Sequence, residues 1–198
     1  MLQPLILAST SRYRAALLER LGLPFRVAAP RVAEDHRPGE APPARALRLA
    51  LAKAEAVAAT HPDCWVLGSD QVADCGGRIL EKPGTAENCR EQLAACSGRS
   101  VAFFTAAVLT HGGTASVHQH VDRTIVRFRN LSAAAIANYV EHERPLDCAG
   151  GFRCEGLGIA LFEGIDSADP TALIGLPLIW VACALREAGL DPLAAIQS

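Results

Sequence analysis

Carboxylates, cations and small polar side chains recur at separated points of this 198-residue chain, at the ends of apolar runs or in a charged loop. Two carboxylates can hold a divalent ion, and one of them can accept a proton from water. Nearby cations neutralise the charge that builds up on phosphoryl oxygens during attack. Brought together, such groups would support metal-assisted attack of water on a phosphate. The candidates are Ser9, Arg14, Glu34, Lys53, Asp70, Gln71, Lys82 and Glu155.

The same pattern has simpler explanations, which the residues alone leave open. A helix lysine such as Lys53 is usually solvated, and a loop carboxylate such as Glu34 is usually a surface charge. The glycine-rich stretch 150–158 lacks the Walker spacing and a following Lys-Ser/Thr pair. Cys148 and Cys154 have no histidine or asparagine at a recognisable spacing, so a cysteine nucleophile is not favoured.

The first candidate residues lie where a predicted strand runs into a predicted helix. The apolar run Leu5–Ala8 predicts a buried strand, Ser9–Ser11 end it and cap a helix, and Gly22 ends that helix. A helix N-terminus offers free backbone N–H groups and a positive dipole end, which attract anions. Arg12 and Arg14 oppose this dipole and so indicate a bound anion, although the alternative of two solvated charges stays open.

Asp70 is predicted to meet a lysine across a hairpin. A second buried strand delivers Asp70, and a three-residue loop, Cys75–Gly77, joins it to the strand Arg78–Lys82. In that register Asp74 faces the first residue of the partner strand, and Asp70 faces the last, Lys82. An acid and a base would then be cross-strand neighbours.

Predicted strands and helices follow one another along the chain without strict alternation, which favours an α/β fold with a mixed sheet. A helix over Ala44–Thr60 places Lys53 off its apolar stripe, and the charged loop before it, 30–43, carries Glu34. We find no repeat, linker or low-complexity tract, so residues 1–198 are expected to form one domain. The other predicted elements are helices over 85–95, 132–142 and 177–189 and strands over 101–110, 116–129 and 159–162.

The composition disfavours several classes of protein and of site. A net charge of −2 does not fit the broad basic surface of a protein that binds nucleic-acid polymers. The seven cysteines are odd in number and form no CxxC, which favours free thiols in a reducing compartment. His118 and His120 are expected to be a pair on one strand face rather than a metal site. No signal peptide is visible and the apolar stretch 173–185 is too short to span a membrane, so a cytoplasmic protein without membrane attachment is expected.

Several motifs together resemble the Maf family of nucleoside triphosphate pyrophosphatases, over nearly the whole chain and at the family's spacings. The pairing of Ser69-Asp70-Gln71 with Glu155 resembles the 7-methyl-GTP pyrophosphatase branch. The motifs are Leu7-Ala8-Ser9-Thr10-Ser11 with Arg14 and Leu17-Leu18, Gly68-Ser69-Asp70-Gln71-Val72, Glu81-Lys82-Pro83, Leu131-Ser132, Tyr139, Pro145-Leu146, Ala149-Gly150, Glu155-Gly156-Leu157-Gly158 and Gly175-Leu176-Pro177-Leu178.

The resemblance implies an elongated, two-lobed α/β domain similar to inosine triphosphatases, with helices flanking a twisted mixed sheet and a central cleft. It implies cleavage between the α and β phosphates of 7-methyl-GTP, with a divalent metal, Mg²⁺ or Mn²⁺. Asp70 would accept the proton from the attacking water, and Glu34 would serve the metal or the water with it. Ser9, Arg14, Lys53 and Lys82 would hold phosphates, whereas Tyr13, Gln71 and Glu155 would set base preference.

The chemistry of the base supports these last roles, but the chain departs from the family pattern. An aromatic face and a carboxylate suit a positively charged 7-methylguanine, and Gln71 offers a donor and an acceptor. Tyr13 stands where this branch tends to carry tryptophan, Arg12 where the family usually has proline, and Ala33 replaces an acidic residue. The same reaction on dTTP, UTP or another modified nucleotide stays open, as do a regulator of septum formation with little turnover and a homodimer.

Overall fold

The computed structural model describes residues 4–194, which form a seven-stranded sheet with helices packed on it. Three short 3₁₀ segments cover 149–151, 157–161 and 172–174. The strands are β1 (Leu5–Ala8), β2 (Phe25–Ala28), β3 (Trp65–Cys75), β4 (Arg78–Leu80), β5 (Ser100–His111), β6 (Val117–Phe128) and β7 (Phe162–Asp166). The helices are α1 (Arg12–Glu19), α2 (Pro42–Ala58), α3 (Ala86–Cys96), α4 (Ala133–Glu143) and α5 (Leu178–Glu187).

The sheet is mixed, which confirms the predicted α/β class. Its order is β2-β1-β3-β5-β6-β7, with β4 paired to β3 outside this path. Strand β1 runs parallel to β2 and β3, and the other pairs are antiparallel. Because Ala8 pairs with Gly68, Ser9 and Ser69 follow side by side where these two strands leave their parallel pairing. This register brings the first motif of the chain to the segment that carries Asp70.

Two lobes share the long strands β3 and β5. In one lobe α3 and α4 cover an apolar cluster that includes Ala73 of β3 and Phe103 of β5. In the other lobe, α1 and α5 pack on one face of the sheet and α2 packs on the opposite face. Leu67 of β3 belongs to the first of these two faces, and Val66 belongs to the second. The predicted two-lobed arrangement with flanking helices is therefore present.

The predicted hairpin register is wrong by one residue. Gly76 and Gly77 alone form the turn, with φ of 63° and 90°, so Cys75 pairs directly with Arg78. Positive φ at both central residues is the conformation of a two-residue hairpin turn, and glycine adopts it without strain. Strand β4 ends at Leu80, and Asp70 pairs with β5 instead of facing Lys82.

Several other boundaries confirm or correct the sequence predictions. Ser11, Thr85 and Ser132 cap their helices as predicted, each accepting a hydrogen bond from the backbone N–H three residues later. The strand predicted over 159–162 is wrong, because a 3₁₀ segment occupies 157–161 and β7 begins at Phe162. A β-carbon at Gly158 would overlap the backbone carbonyl of Arg153, so the close approach of these two segments requires glycine. The short strand β2 was not predicted.

The prediction that His118 and His120 share one face of a strand is confirmed. His118 and His120 lie on one face of β6, where their rings contact Trp65 and Trp180. All seven cysteines are free. Between residues 4 and 194 no helix is long and apolar enough to cross a membrane.

Gly68 lets α2 approach the sheet closely, and we expect Gly68→Ala to lower the free energy of unfolding by about 3 kcal/mol. A β-carbon at this position would overlap the carbonyl of Ala50 and lie 2.8 Å from the backbone nitrogen of Ala54. Backbone atoms of a packed helix cannot move aside without displacing the helix. Urea unfolding measures the change.

Gly164→Ala is the matched control for that variant. Gly164 also lies in a strand, but the three atoms nearest to an added β-carbon belong to the Arg127 guanidinium, at the outer end of a side chain that can rotate away. We expect this control to change stability by about 0.5 kcal/mol or less, as surface substitutions usually do. Equal effects of the two variants would contradict the role of Gly68 as the contact point of α2.

Candidate active site

A cleft of about 770 Å³ opens between the two lobes. Its walls come from the β1–α1 junction, the loop before α2, one face of α2, strand β3, the segment after β4, and the loops around 147–155 and 173–175. The structure brings to this cleft every residue that the sequence analysis selected: Ser9, Tyr13, Arg14, Glu34, Lys53, Asp70, Gln71, Lys82 and Glu155.

Lys53 joins two of the candidate carboxylates, Asp70 and Glu34. Its Nζ lies 2.6 Å from Oδ1 of Asp70 and 2.7 Å from Oε1 of Glu34. Lys53 and Asp70 are only 7% and 8% exposed, whereas the Glu34 side chain is 57% exposed. A buried lysine with one buried and one accessible carboxylate forms a charged cluster that faces the cleft.

The prediction that Lys53 lies off the buried stripe of its helix is wrong. The buried face of α2 carries Leu49, Lys53 and Val57 together with small alanines at 46, 50, 54 and 58, whereas Leu47 and Leu51 are only partly buried. Alanines on several sides of the helix blur the hydrophobic periodicity, and the contact with β3 decides which face is covered.

The electrostatic surroundings keep Glu34 ionised. Burial acts to raise the pKa of this carboxyl, but the hydrogen bond and charge of Lys53 oppose it. The charges of Lys82 and Arg14 act in the same direction as Lys53, and the net result is a pKa below the ordinary value. Glu34 is therefore a carboxylate across the neutral pH range.

Arg14 is fixed inside the cleft rather than solvated. Its Nε donates to the carbonyl of Gly175 at 2.9 Å, and its Nη1 lies 3.5 Å from Oγ of Ser9. Ser69 Oγ donates to the same Gly175 carbonyl at 2.9 Å. Burial lowers the pKa of the Arg14 guanidinium, while the charges of Asp70 and Glu34 act to raise it. These contacts hold the Arg14 guanidinium beside Ser9, at the junction between β1 and α1.

The segment that carries Gly175 is itself held by Asp169, a residue that the sequence analysis did not select. The Asp169 carboxylate accepts hydrogen bonds from the backbone nitrogens of Thr171 at 2.9 Å and Ile179 at 2.7 Å. Asp169 is 4% exposed and lies at the N-terminal end of α5, where the helix dipole favours a negative charge. No local sequence signal indicates this role, because Asp169 lies eight residues before the start of the predicted helix and reaches Ile179 only through the fold.

Gln71 has less hydrogen-bonding freedom than predicted. Its Nε2 lies 2.9 Å from Oγ1 of Thr105, 3.0 Å from the Ala172 carbonyl and 3.1 Å from the Leu173 carbonyl. The protein thus takes up both amide hydrogens, and the expectation that Gln71 offers a donor to a ligand is corrected. Only its carbonyl oxygen remains as an acceptor.

Tyr13 and Glu155 lie on either side of an arginine that was not predicted to belong to the site. The guanidinium of Arg153 lies 5.7 Å from the centroid of the Tyr13 ring, and its Nε lies 3.7 Å from Oε1 of Glu155. Arg12 donates to the Tyr13 hydroxyl at 2.8 Å, so Arg12 has a contact within the protein. Arg153 is also held by Glu143, whose Oε1 lies 3.0 Å from its Nη1, so the Tyr13 ring and the Glu155 carboxylate both already lie beside a cation.

The thiols in the cleft do not suit a nucleophilic role. Cys148 and Cys154 both line the cleft, but burial raises the pKa of each thiol to about 12. A reactive cysteine needs a lowered pKa, because the thiolate is the nucleophile. The raised pKa of both thiols agrees with the prediction that no cysteine acts as the nucleophile.

Comparison with known proteins places the chain in a family. The model of the family described as Maf-like protein matches residues 4–188. A protein of Xanthomonas axonopodis pv. citri named 7-methyl-GTP pyrophosphatase is 56% identical over 187 residues, which cover 94% of this chain and 97% of that protein. A protein of Bordetella pertussis with the same name is 53% identical over 189 residues, which cover 96% and 94%.

Among solved structures, the Ham1 protein of Staphylococcus aureus superposes with a TM-score of 0.44 at 12% identity, covering 64% of this chain and 72% of that one. The family match spans most of the chain, and the relatives named above match at more than half of the aligned positions. The chain belongs to the Maf-like protein family.

Proposed function

We propose that this protein hydrolyses 7-methyl-GTP to 7-methyl-GMP and pyrophosphate. The observation that carries the proposal is the cluster in which buried Lys53 holds Asp70 and Glu34 on the wall of the cleft. Cations surround this cluster, as the hydrolysis of a polyanion requires. The relatives from Xanthomonas and Bordetella, named 7-methyl-GTP pyrophosphatase, support the choice of substrate.

In this proposal Asp70 accepts a proton from the attacking water. The water oxygen forms a bond to the α-phosphorus, the bond from that phosphorus to the bridging oxygen of the β-phosphate breaks, and pyrophosphate leaves. Lys53 holds Asp70 in place and, with Arg14 and Lys82, neutralises the charge on the phosphoryl oxygens. Ser9 donates its hydroxyl to a phosphate oxygen.

The carboxylates fit a divalent ion such as Mg²⁺ or Mn²⁺. Asp70 and Glu34 each use one oxygen for Lys53, which leaves the second oxygen of each as a hard ligand. Residues 4–194 contain no group of three or more acidic, histidine or cysteine side chains that could hold a metal. Magnesium is commonly held by one or two carboxylates together with substrate phosphates. When bound, the ion would neutralise phosphate charge.

The base is proposed to lie by Tyr13, Gln71 and Glu155. Methylation at N7 gives guanine a delocalised positive charge, which the face of Tyr13 attracts. The carboxylate of Glu155 and the carbonyl oxygen of Gln71 accept from the N1–H and the exocyclic amine of guanine. The contacts of Arg153 with Tyr13 and Glu155 support a place for a flat cation beside these two groups.

A panel of triphosphates with product identification tests the proposed function. We expect kcat/KM with Mg²⁺ or Mn²⁺ to be highest for 7-methyl-GTP, with pyrophosphate and 7-methyl-GMP as products in equal amounts. GTP is the matched control, because it lacks only the methyl group and the positive charge. Faster turnover of dTTP or UTP would contradict the base assignment, and nucleotide binding without pyrophosphate release would contradict the reaction itself.

A further inference from the structure

Arg45 is a buried cation on the wall of the cleft, and the proposed mechanism does not use it. Its side chain is 9% exposed, and one of its terminal nitrogens lies 3.0 Å from Oε1 of Glu81. The other two guanidinium nitrogens, Nε and Nη1, are buried and have no hydrogen-bond partner within residues 4–194. Arg45 lines the same cleft as Lys53 and Lys82.

Such a guanidinium is costly to keep in the protein without a ligand. Arginine carries five N–H donors and cannot lose its charge, so every buried donor without an acceptor lowers stability. The Glu81 side chain is 66% exposed and satisfies only one nitrogen of Arg45. An anion with several oxygens that enters the cleft would supply the missing acceptors, and the arginine fork matches the oxygens of a phosphate group.

The position of Arg45 indicates which part of a nucleotide it meets. Arg45 precedes Lys53 by eight residues on α2, which is about 12 Å along the helix axis, and Leu49 of the same cleft wall lies between them. Lys53 marks the reacting end through its contact with Asp70. Arg45 instead contacts Glu81, the neighbour of Lys82.

The groups assigned to the base lie on other segments. Tyr13 contacts Cys148 and Arg153, and Glu155 also contacts Arg153. We propose that Arg45 binds the terminal phosphates of the triphosphate, and hence the pyrophosphate that leaves. This inference rests on the proposed function, because it takes Asp70 to mark the α-phosphorus.

Binding of inorganic pyrophosphate tests the inference without turnover. In wild type, pyrophosphate with Mg²⁺ is expected to raise the Tm, and Arg45→Leu is expected to abolish most of this rise. The affinity for 7-methyl-GMP, which lacks the terminal phosphates, is expected to stay within about twofold. The KM for the triphosphate is expected to rise about 10- to 100-fold, the range for loss of a charged hydrogen bond.

The Tm of the ligand-free protein separates binding from a structural role. Because Arg45→Leu removes a buried charge with unsatisfied donors, its Tm without ligand is expected to equal or exceed that of wild type. Arg45→Lys keeps the charge and is expected to retain part of the pyrophosphate response. Arg90→Gln, an exposed arginine on α3, is the control for loss of one positive charge.

Two results would overturn the inference: an undiminished pyrophosphate response in Arg45→Leu, or an equal loss of affinity for pyrophosphate and 7-methyl-GMP. Failure of the proposed function gives a different result. In that case no triphosphate on the panel releases pyrophosphate, while pyrophosphate still raises the Tm of wild type and not of Arg45→Leu.

Discussion

Asp70→Asn is expected to lower kcat about 10²- to 10⁴-fold, the contribution typical of a positioned general base. The asparagine keeps the shape of the side chain and can still accept a hydrogen bond from Lys53, but it cannot take a proton from water. Lys53 also keeps its contact with Glu34, at 2.7 Å in the wild type, so we expect the variant to fold. The KM for the triphosphate is expected to change by only a few fold, because Asp70 does not hold the phosphates directly.

Steady-state pyrophosphate release and equilibrium nucleotide binding together measure this effect. Asp74→Asn is the matched control, since Asp74 lies on the same strand but accepts from Gly77 in the hairpin turn at 2.7 Å. That control is expected to keep wild-type turnover. Unchanged turnover in Asp70→Asn would remove Asp70 from the chemistry, and an equal loss in both variants would indicate damage to strand β3 instead.

The candidate site could be predicted well because its residues belong to local motifs with fixed spacing. Ser9, Arg14 and Asp70 follow apolar runs, and an apolar run that ends in polar residues indicates a strand end whatever the rest of the fold does. The parallel pairing of β1 with β3 then brings these segments together. The mixed sheet could be predicted for the same reason, since its central strands β1, β3 and β5 are mostly buried apolar runs.

What could not be predicted depends on contacts between distant segments. Arg45 and Arg153 look like ordinary surface arginines in the sequence, and only the approach of Glu81 and Tyr13 shows that they line the cleft or contact its residues. The face of α2 that carries Lys53 was misjudged because alanine fits a buried or an exposed position equally well. The predicted hairpin register was off by one residue because Gly76-Gly77 suits a two-residue turn as well as a longer one.

Lys53→Met is expected to lower both activity and stability. The substitution removes the cation that holds Asp70 and Glu34, and it leaves the buried Asp70 carboxylate without its partner. Breaking a buried ion pair from one side costs about 3–5 kcal/mol. Turnover is expected to fall at least about 100-fold, because Asp70 loses its position and the phosphates lose a neutralising charge. Urea unfolding and pyrophosphate release measure the two losses.

A titration of Glu34 separates the electrostatic effect of Lys53 from its packing. Burial acts to raise the pKa of Glu34, and the hydrogen bond and charge of Lys53 lower it. Lys53→Met is therefore expected to raise that pKa. In wild type the lowered pKa contributes stability above the ordinary value of 4.5, and this contribution is lost as the pH falls through the folded value. Carboxyl ¹³C NMR measures the pKa of Glu34 in both proteins. An unchanged value would contradict the ion pair between Lys53 and Glu34.

The double variant Lys53→Met/Asp70→Asn distinguishes the structural role of Lys53 from its catalytic one. Because asparagine carries no charge, the double variant no longer buries an unpaired carboxylate, and it is expected to regain about 2 kcal/mol relative to Lys53→Met. Glu34 is largely exposed and can be solvated without Lys53. Turnover is expected to stay at least about 100-fold below wild type, since the proton acceptor is gone. Recovery of stability without activity would show that Lys53 stabilises the fold by neutralising the same carboxylate that it positions for catalysis; no recovery would mean that the lysine stabilises the protein by packing alone.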